Sequence, residues 1–203
     1  MIKPYIQMEK QIQLAKRIQL ENVPTIPWKN GGGFTRELLA WPSPDHWVLR
    51  LSVAAIDQSG PFSVYKDVRR WFGVLTGAGV HLSSGGQINT VTSHTPLFEF
   101  DGGAQYECDL IDGPTNDFNV MFKSDALRCL AQRVSGTYVT GSWARSLVAV
   151  YANVDQTIVR RARGGAQPVQ LQQGDLYWQI LDSGDAPWQI TSEYAICVEA
   201  SVE

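Results

Sequence analysis

The sequence predicts an all-β chain folded as two small barrels, and three observations carry that expectation. Short runs rich in Val, Ile, Leu, Tyr and Trp follow one another, broken at short intervals by clusters of Gly, Pro, Asn, Asp and Ser. No interior stretch sustains helical spacing over several turns, so helices are expected to be few and short. Each half also holds a strand, a glycine turn and a strand: Leu75-Thr76-Gly77-Ala78-Gly79-Val80 in the first, Leu171-Gln172-Gln173-Gly174-Asp175-Leu176 in the second.

Taken in order, residues 1–23 form a lead-in whose apolar Ile6, Ile12, Leu14, Ala15 and Ile18 fit a helix loosely and a strand partly. Pro24 and Pro27 end it and push the preceding residues toward extended geometry. Pro27-Trp28-Lys29-Asn30-Gly31-Gly32-Gly33-Phe34-Thr35-Arg36-Glu37-Leu38 follows. Its three glycines bare the backbone for close approach by a ligand or by a neighbouring strand. In Trp47–Ile56, Val48, Arg50, Ser52 and Ala54 fall on one face and Leu49, Leu51, Val53 and Ala55 on the other, which reads as the core side.

Gly60-Pro61-Phe62-Ser63 is a turn before Val64-Tyr65. Strands are expected at 69–75, 80–82, 88–91, 97–100, 106–111 and 118–122, joined by hairpin turns. Lys123 to Arg133, with Leu127, Leu130 and Ala131, is the best interior helix candidate, with a crossover or strand as the alternative. Strand chemistry resumes at 136–140, 146–151, 156–160, 169–171, 176–181, 188–190 and 194–199. Arg160 to Gly165 reads as a solvated basic hairpin tip.

Composition bounds the function. In 203 residues, 44% are hydrophobic and 18% charged, with a net charge of -3, so no positive field invites nucleic acid. No run approaches the ~20 apolar residues of a membrane span, and no signal peptide is read at the start. A cytoplasmic protein is expected. Cys108, Cys129 and Cys197 are odd in number and far apart, which suits reduced thiols. Lys29 before the glycines lacks the Gly-Lys-Ser/Thr end of a phosphate loop, and no Gly-x-Ser-x-Gly elbow occurs.

The Gly-Asp turn is typical of double-stranded β-helix proteins, the cupins, and a comparable signature in both halves suggests two small barrels sharing one chain. More specifically, the sequence resembles the HutD/Ves family of cupin-like proteins. The resemblance rests on Pro27-Trp28-Lys29-Asn30-Gly31-Gly32-Gly33, Thr35-Arg36-Glu37, Trp47 with Arg50-Leu51-Ser52, Gly60-Pro61-Phe62-Ser63, Arg69, Leu75-Thr76-Gly77, Phe98 to Gly102 and Asp117 to Met121. The Lys-Asn-Gly-Gly-Gly string looks closer to the HutD branch, while Lys66-Asp67-Val68-Arg69-Arg70 lacks the glycine expected there. The resemblance implies a bicupin, two double-stranded β-helix barrels in one chain. It further implies a regulatory, ligand-sensing association with histidine utilisation and a ligand such as formylglutamate or urocanate. The domains follow as 24–133 for a first barrel with the ligand pocket and 134–203 for a second, packed with the first as one compact unit.

Catalytic cupins present a His-x-His pair, a Glu and a further His to a metal. Here the histidines are His46, His81 and His94, with no His-x-His, so neither metal nor cofactor is expected. Arg36, Arg50 and Arg69 each offer a fork of N–H donors that a carboxylate accepts side by side. Lys29, Asn30 and Asn119 add polar groups, Thr35 and Ser52 hydroxyls, Glu37 a carboxylate, and Phe62, Phe100 and Met121 apolar walls. For each arginine the competing expectation is a salt bridge to Glu37, Glu99 or Asp101. The reading is a metal-free protein that binds a small carboxylated metabolite, with no catalytic residue assigned and a homodimer compatible with a bicupin. The alternative is a cofactor-independent isomerase or lyase using Glu37 or Tyr65 for proton transfer.

Overall fold

The alternating patterns fold as antiparallel strands in the computed structural model, which describes residues 15–141, 143–163 and 167–202. Two compact units result: residues 20–127, and residues from 128 onward joined by the stretch up to Gln19. The lead-in expected from Ile6 to Leu14 lies outside the described residues. Its continuation is strand β1 (Lys16–Gln19).

The unit of residues 20–127 contains β2 (Ile26–Pro27), β3 (Gly33–Trp41), β4 (Leu49–Ile56), β5 (Gly60–Pro61), β6 (Arg69–Thr76), β7 (Val80–Ser84), β8 (Gln87–Val91), β9 (Phe98–Asp101), β10 (Glu107–Leu110) and β11 (Thr115–Phe122). They form a six-stranded sheet, β2-β3-β4-β11-β6-β9, and a four-stranded sheet, β5-β10-β7-β8. Ile56, Phe72, Val74 and Phe100 of the larger sheet pack with Val80, Leu82, Val91 and Cys108 of the smaller one in one buried cluster. Both faces of β4 are buried apart from Arg50, so the face bearing Arg50 and Ser52 looks into the space between the sheets.

The other unit contains β12 (Cys129–Val139), β13 (Arg145–Ala152), β14 (Thr157–Arg161), β15 (Val169–Leu171), β16 (Asp175–Asp182) and β17 (Trp188–Ser201). Its sheet runs β1-β16-β13-β17-β14-β15, with β12 also paired to β17. Val148, Val150, Leu171, Trp188, Ile190 and Cys197 lie in its core. The only helical pieces among the described residues are two single 3-10 turns, Leu20–Asn22 and Pro44–His46.

Several expectations need correction. Lys123 to Arg133 is not a helix: a turn in which Ala126 and Leu127 N–H groups donate to the Lys123 carbonyl, both at 3.1 Å, leads into β12. Leu127 and Ala131 are buried while Leu130 is 41% exposed, and pairing with β17 supplies the backbone hydrogen bonds that a short helix would have made. The boundary drawn between 133 and 134 therefore falls inside a strand. The separate strands expected at 188–190 and 194–199 are one continuous β17. None of the three cysteines is in a disulfide, which agrees with the reduced thiols expected.

Candidate functional site

Antiparallel pairing places directly opposed residues on the same face, so the register assembles the site row by row. In the six-stranded sheet, Arg50, Met121, Arg70 and Phe100 stand opposite one another across β4, β11, β6 and β9. The adjacent row is Glu37, Ser52, Asn119, Phe72 and Phe98; the next holds Thr35, Ala54, Asp117 and Val74. Seven of the residues singled out from the sequence thus share one face: Thr35, Glu37, Arg50, Ser52, Phe100, Asn119 and Met121. Phe62, from the loop after β5, packs over it with its ring 5.6 Å from that of Phe72 and 6.4 Å from that of Phe100.

At the centre is a buried polar trio. Arg70 is 5% exposed and Asp117 1%, with Asn119 between them. The Asn119 amide oxygen accepts Arg70 Nη2–H at 2.5 Å, and its amide nitrogen donates to Asp117 Oδ1. The Arg70 guanidinium lies 4.9 Å from the Phe62 ring centre and 5.0 Å from that of Phe100, cation–π contacts that offset part of its desolvation. Two buried polar atoms remain without a hydrogen-bond partner, Arg70 Nε and Asp117 Oδ2. Such groups are costly to bury, on the order of 1–3 kcal/mol each, unless something satisfies them.

The electrostatics follow from that burial. Desolvation pushes the Asp117 carboxyl up to about 8, against the pull of Arg70 and the Asn119 hydrogen bond. Desolvation likewise lowers Arg70 to about 10, an effect that Asp117 and Tyr65 oppose and Arg50 reinforces. Cys108 is pushed up to about 12, first by burial and then by Asp117. At neutral pH the Asp117 carboxyl is therefore largely protonated. Two arginines then face the same space, and Glu37 Oε2 accepts Arg50 Nε–H at 2.6 Å.

The remaining sequence candidates lie elsewhere. Arg36 and Arg69 alternate onto the opposite face: Arg36 donates to the Leu20 carbonyl at 2.9 Å, and Arg69 pairs with Glu99 at 3.0 Å. Lys29 and Asn30 are exposed in the turn before β3, where Asn30 Oδ1 accepts the Gly32 N–H. Of the two roles open to the glycines, the chain uses strand contact: a Cβ on Gly33 would stand 2.1 Å from the Ala55 carbonyl oxygen, and Gly31 has φ +72. Asp117 was not singled out, and of the adjacent pair Arg69 and Arg70 it was Arg69 that was assigned to the pocket. The alternation of Arg70 with Phe72 and Val74 was the available signal, since it puts Arg70 and not Arg69 on the face that those apolar residues bury.

Among the described residues no three His, Cys, Asp or Glu side chains gather as a metal-binding group, and no helix is long and apolar enough to cross a membrane. The family model described as HutD matches residues 20–197. An uncharacterized 21.2 kDa protein in the hutC 3′ region of Pseudomonas putida is 36% identical over 129 residues, 63% of this chain and 66% of that one. Protein Ves of Cronobacter sakazakii is 32% identical over 139 residues, 68% and 76% of the two chains. The chain thus spans just under two thirds of the first relative's length and about three quarters of the second's. The solved structure of HutD from Pseudomonas fluorescens SBW25, in a formate condition, superposes with a TM-score of 0.78 at 25% identity, over 94% of this chain and 100% of that one.

Proposed function

Since the chain belongs to the HutD family, we propose that it is a bicupin that binds a small carboxylated metabolite, formylglutamate- or urocanate-like, between the two sheets of residues 20–127, and so tunes histidine utilisation. The observation that carries this reading is Arg70, a buried guanidinium with an unpartnered Nε, whose near carboxyl among the described residues, Asp117, is bridged through an amide and held largely neutral. A carboxylate brought between Arg50 and Arg70 would supply the missing countercharge and accept from both forks. Met121 separates the two arginines in their row and would be its apolar floor. Glu37 holds Arg50 until the ligand arrives and competes with it. The relative solved in a formate condition makes formate the smallest probe of the same chemistry.

Isothermal titration of the full chain with formylglutamate, urocanate and formate tests the reading. Saturable binding that weakens about tenfold or more in Arg50→Ala is the expected result, the size of a lost charge-assisted hydrogen bond. No heat with any of the three would overturn the ligand class.

One observation favours a second reading, a cofactor-independent isomerase or lyase. A buried carboxyl held protonated near neutrality is suited to proton donation, and Asp117 fits that role better than Glu37 or Tyr65, the groups favoured from the sequence. Turnover of a bound metabolite that disappears in Asp117→Asn while binding persists would select it.

A further inference from the structure

The unit of residues 128 onward carries a polar cluster of its own, on residues that the carboxylate site does not use. In its sheet β13 lies between β16 and β17, and Val148 stands opposite Gln179 on one side and Glu199 on the other. Val148 and Val150 are fully buried and form an apolar floor flanked by polar groups.

On one flank Glu199 is 4% exposed. Its Oε1 accepts the Tyr138 hydroxyl at 2.6 Å and its Oε2 the Gly141 N–H at 2.7 Å. A carboxylate has about four lone-pair directions, so two stay available among the described residues. Among the described residues no Lys or Arg forms an ion pair with it. On the other flank Arg161 donates Nη2–H to Gln179 Oε1 at 2.8 Å and Nη1–H to the Ala186 carbonyl at 3.0 Å, which engages two of its five N–H groups. Its guanidinium lies 6.0 Å from the centre of the Trp188 ring, and that ring stacks on Tyr177 at 5.1 Å.

We propose that this face is a second binding site, for a free amino acid in its zwitterionic form. The ammonium would donate to Glu199, the carboxylate would accept from Arg161, and the side chain would lie against the Trp188–Tyr177 pair. Opposite charges on the two flanks select against simpler ligands: Arg161 repels a bare cation and Glu199 a bare anion, each in a partly dry setting where Coulomb terms are large. The aromatic pair adds a flat apolar surface.

The test is titration calorimetry and thermal shift of the full chain with each free amino acid, against acetate and methylammonium as the two half-ligands. At least one amino acid is expected to bind saturably, with both half-ligands at least tenfold weaker. Arg161→Gln and Glu199→Gln should each weaken binding about tenfold, whereas Arg50→Ala in the other unit should leave it unchanged. Should Glu199→Gln fail to fold, Arg161→Gln alone decides. The proposal is overturned if no amino acid binds, if methylammonium binds as tightly as the amino acid, or if Arg161→Gln binds like the unaltered chain. Loss of amino-acid binding in Arg50→Ala would likewise overturn it, by assigning that binding to the carboxylate site. Because the carboxylate reading is tested with formylglutamate, urocanate and formate, either site can fail without the other.

Discussion

At the scale of single residues, Gly33 and Asp117 show how backbone and burial constrain this chain. Gly33 faces the Ala55 carbonyl so closely that a methyl group cannot fit without moving β3 from β4. Gly33→Ala is expected to destabilise the protein by about 3 kcal/mol, at the upper end of single substitutions, read as a lowered urea midpoint. Asp117 titrates at about 8 in the folded chain against an ordinary 3.8, so between those values the folded state holds a proton that the unfolded state has released. Its contribution to stability is complete below the lower value and is lost as pH rises toward 8, at about 1.4 kcal/mol per pH unit. Calorimetric melts should therefore show a steeper decline from pH 5 to 8 in the unaltered chain than in Asp117→Asn. The same ionisation restores a countercharge to Arg70, so carboxylate affinity should weaken as pH passes 8, measured by titration at pH 6.5 and 9. Arg50 and Asn119 could be read as candidate-site residues because arginine and amide are unusual on strands, and Ser52 because it shares the strand face of Arg50. Arg70 was harder to read, because its alternation with Phe72 and Val74 competes with that of Arg69 with Trp71 and Leu75.

At the scale of elements, the edge strand β1 shows a polar clasp at work. Arg17, 38% exposed, pairs with Asp175, which is 1% exposed and also accepts the Gln172 N–H at 2.6 Å. The carboxylate sits at the Gly174-Asp175 turn that opens β16, so one group closes the turn and holds the incoming strand. Arg17→Ala should cost about 1 kcal/mol, discounted for the exposure of the arginine. It should also raise amide exchange across residues 16–19 while leaving the carboxylate site unchanged. The turn from β6 to β7, which carries the chain from one sheet to the other, and the β15–β16 turn could be read from their glycines, since Gly77, Gly79 and Gly174 all take positive φ. The stretch Lys123 to Arg133 could not, because a short apolar run fits helix and strand alike until β17 supplies its pairing partner.

At the scale of the whole molecule, a ligand that binds only the folded chain stabilises it by mass action, about 2.7 kcal/mol at one hundred times its Kd. For a chain of this size the thermal midpoint should rise by roughly 5–10 °C with the carboxylate, and by much less in Arg50→Ala at the same concentration. The all-β class, the glycine turns, the family resemblance and most of the residues on the candidate site's face could be read from the sequence, because period-two patterning and turn chemistry are local properties. Tertiary structure decided the rest. Leu49, Leu51, Val53 and Ala55 read as the core side of β4, yet the opposite, polar face is the one enclosed between the sheets. Both faces are buried, and alternation along one strand cannot say which of two buried faces encloses a site. That depends on which residues the neighbouring strands place beside it, here Asn119, Arg70 and Asp117.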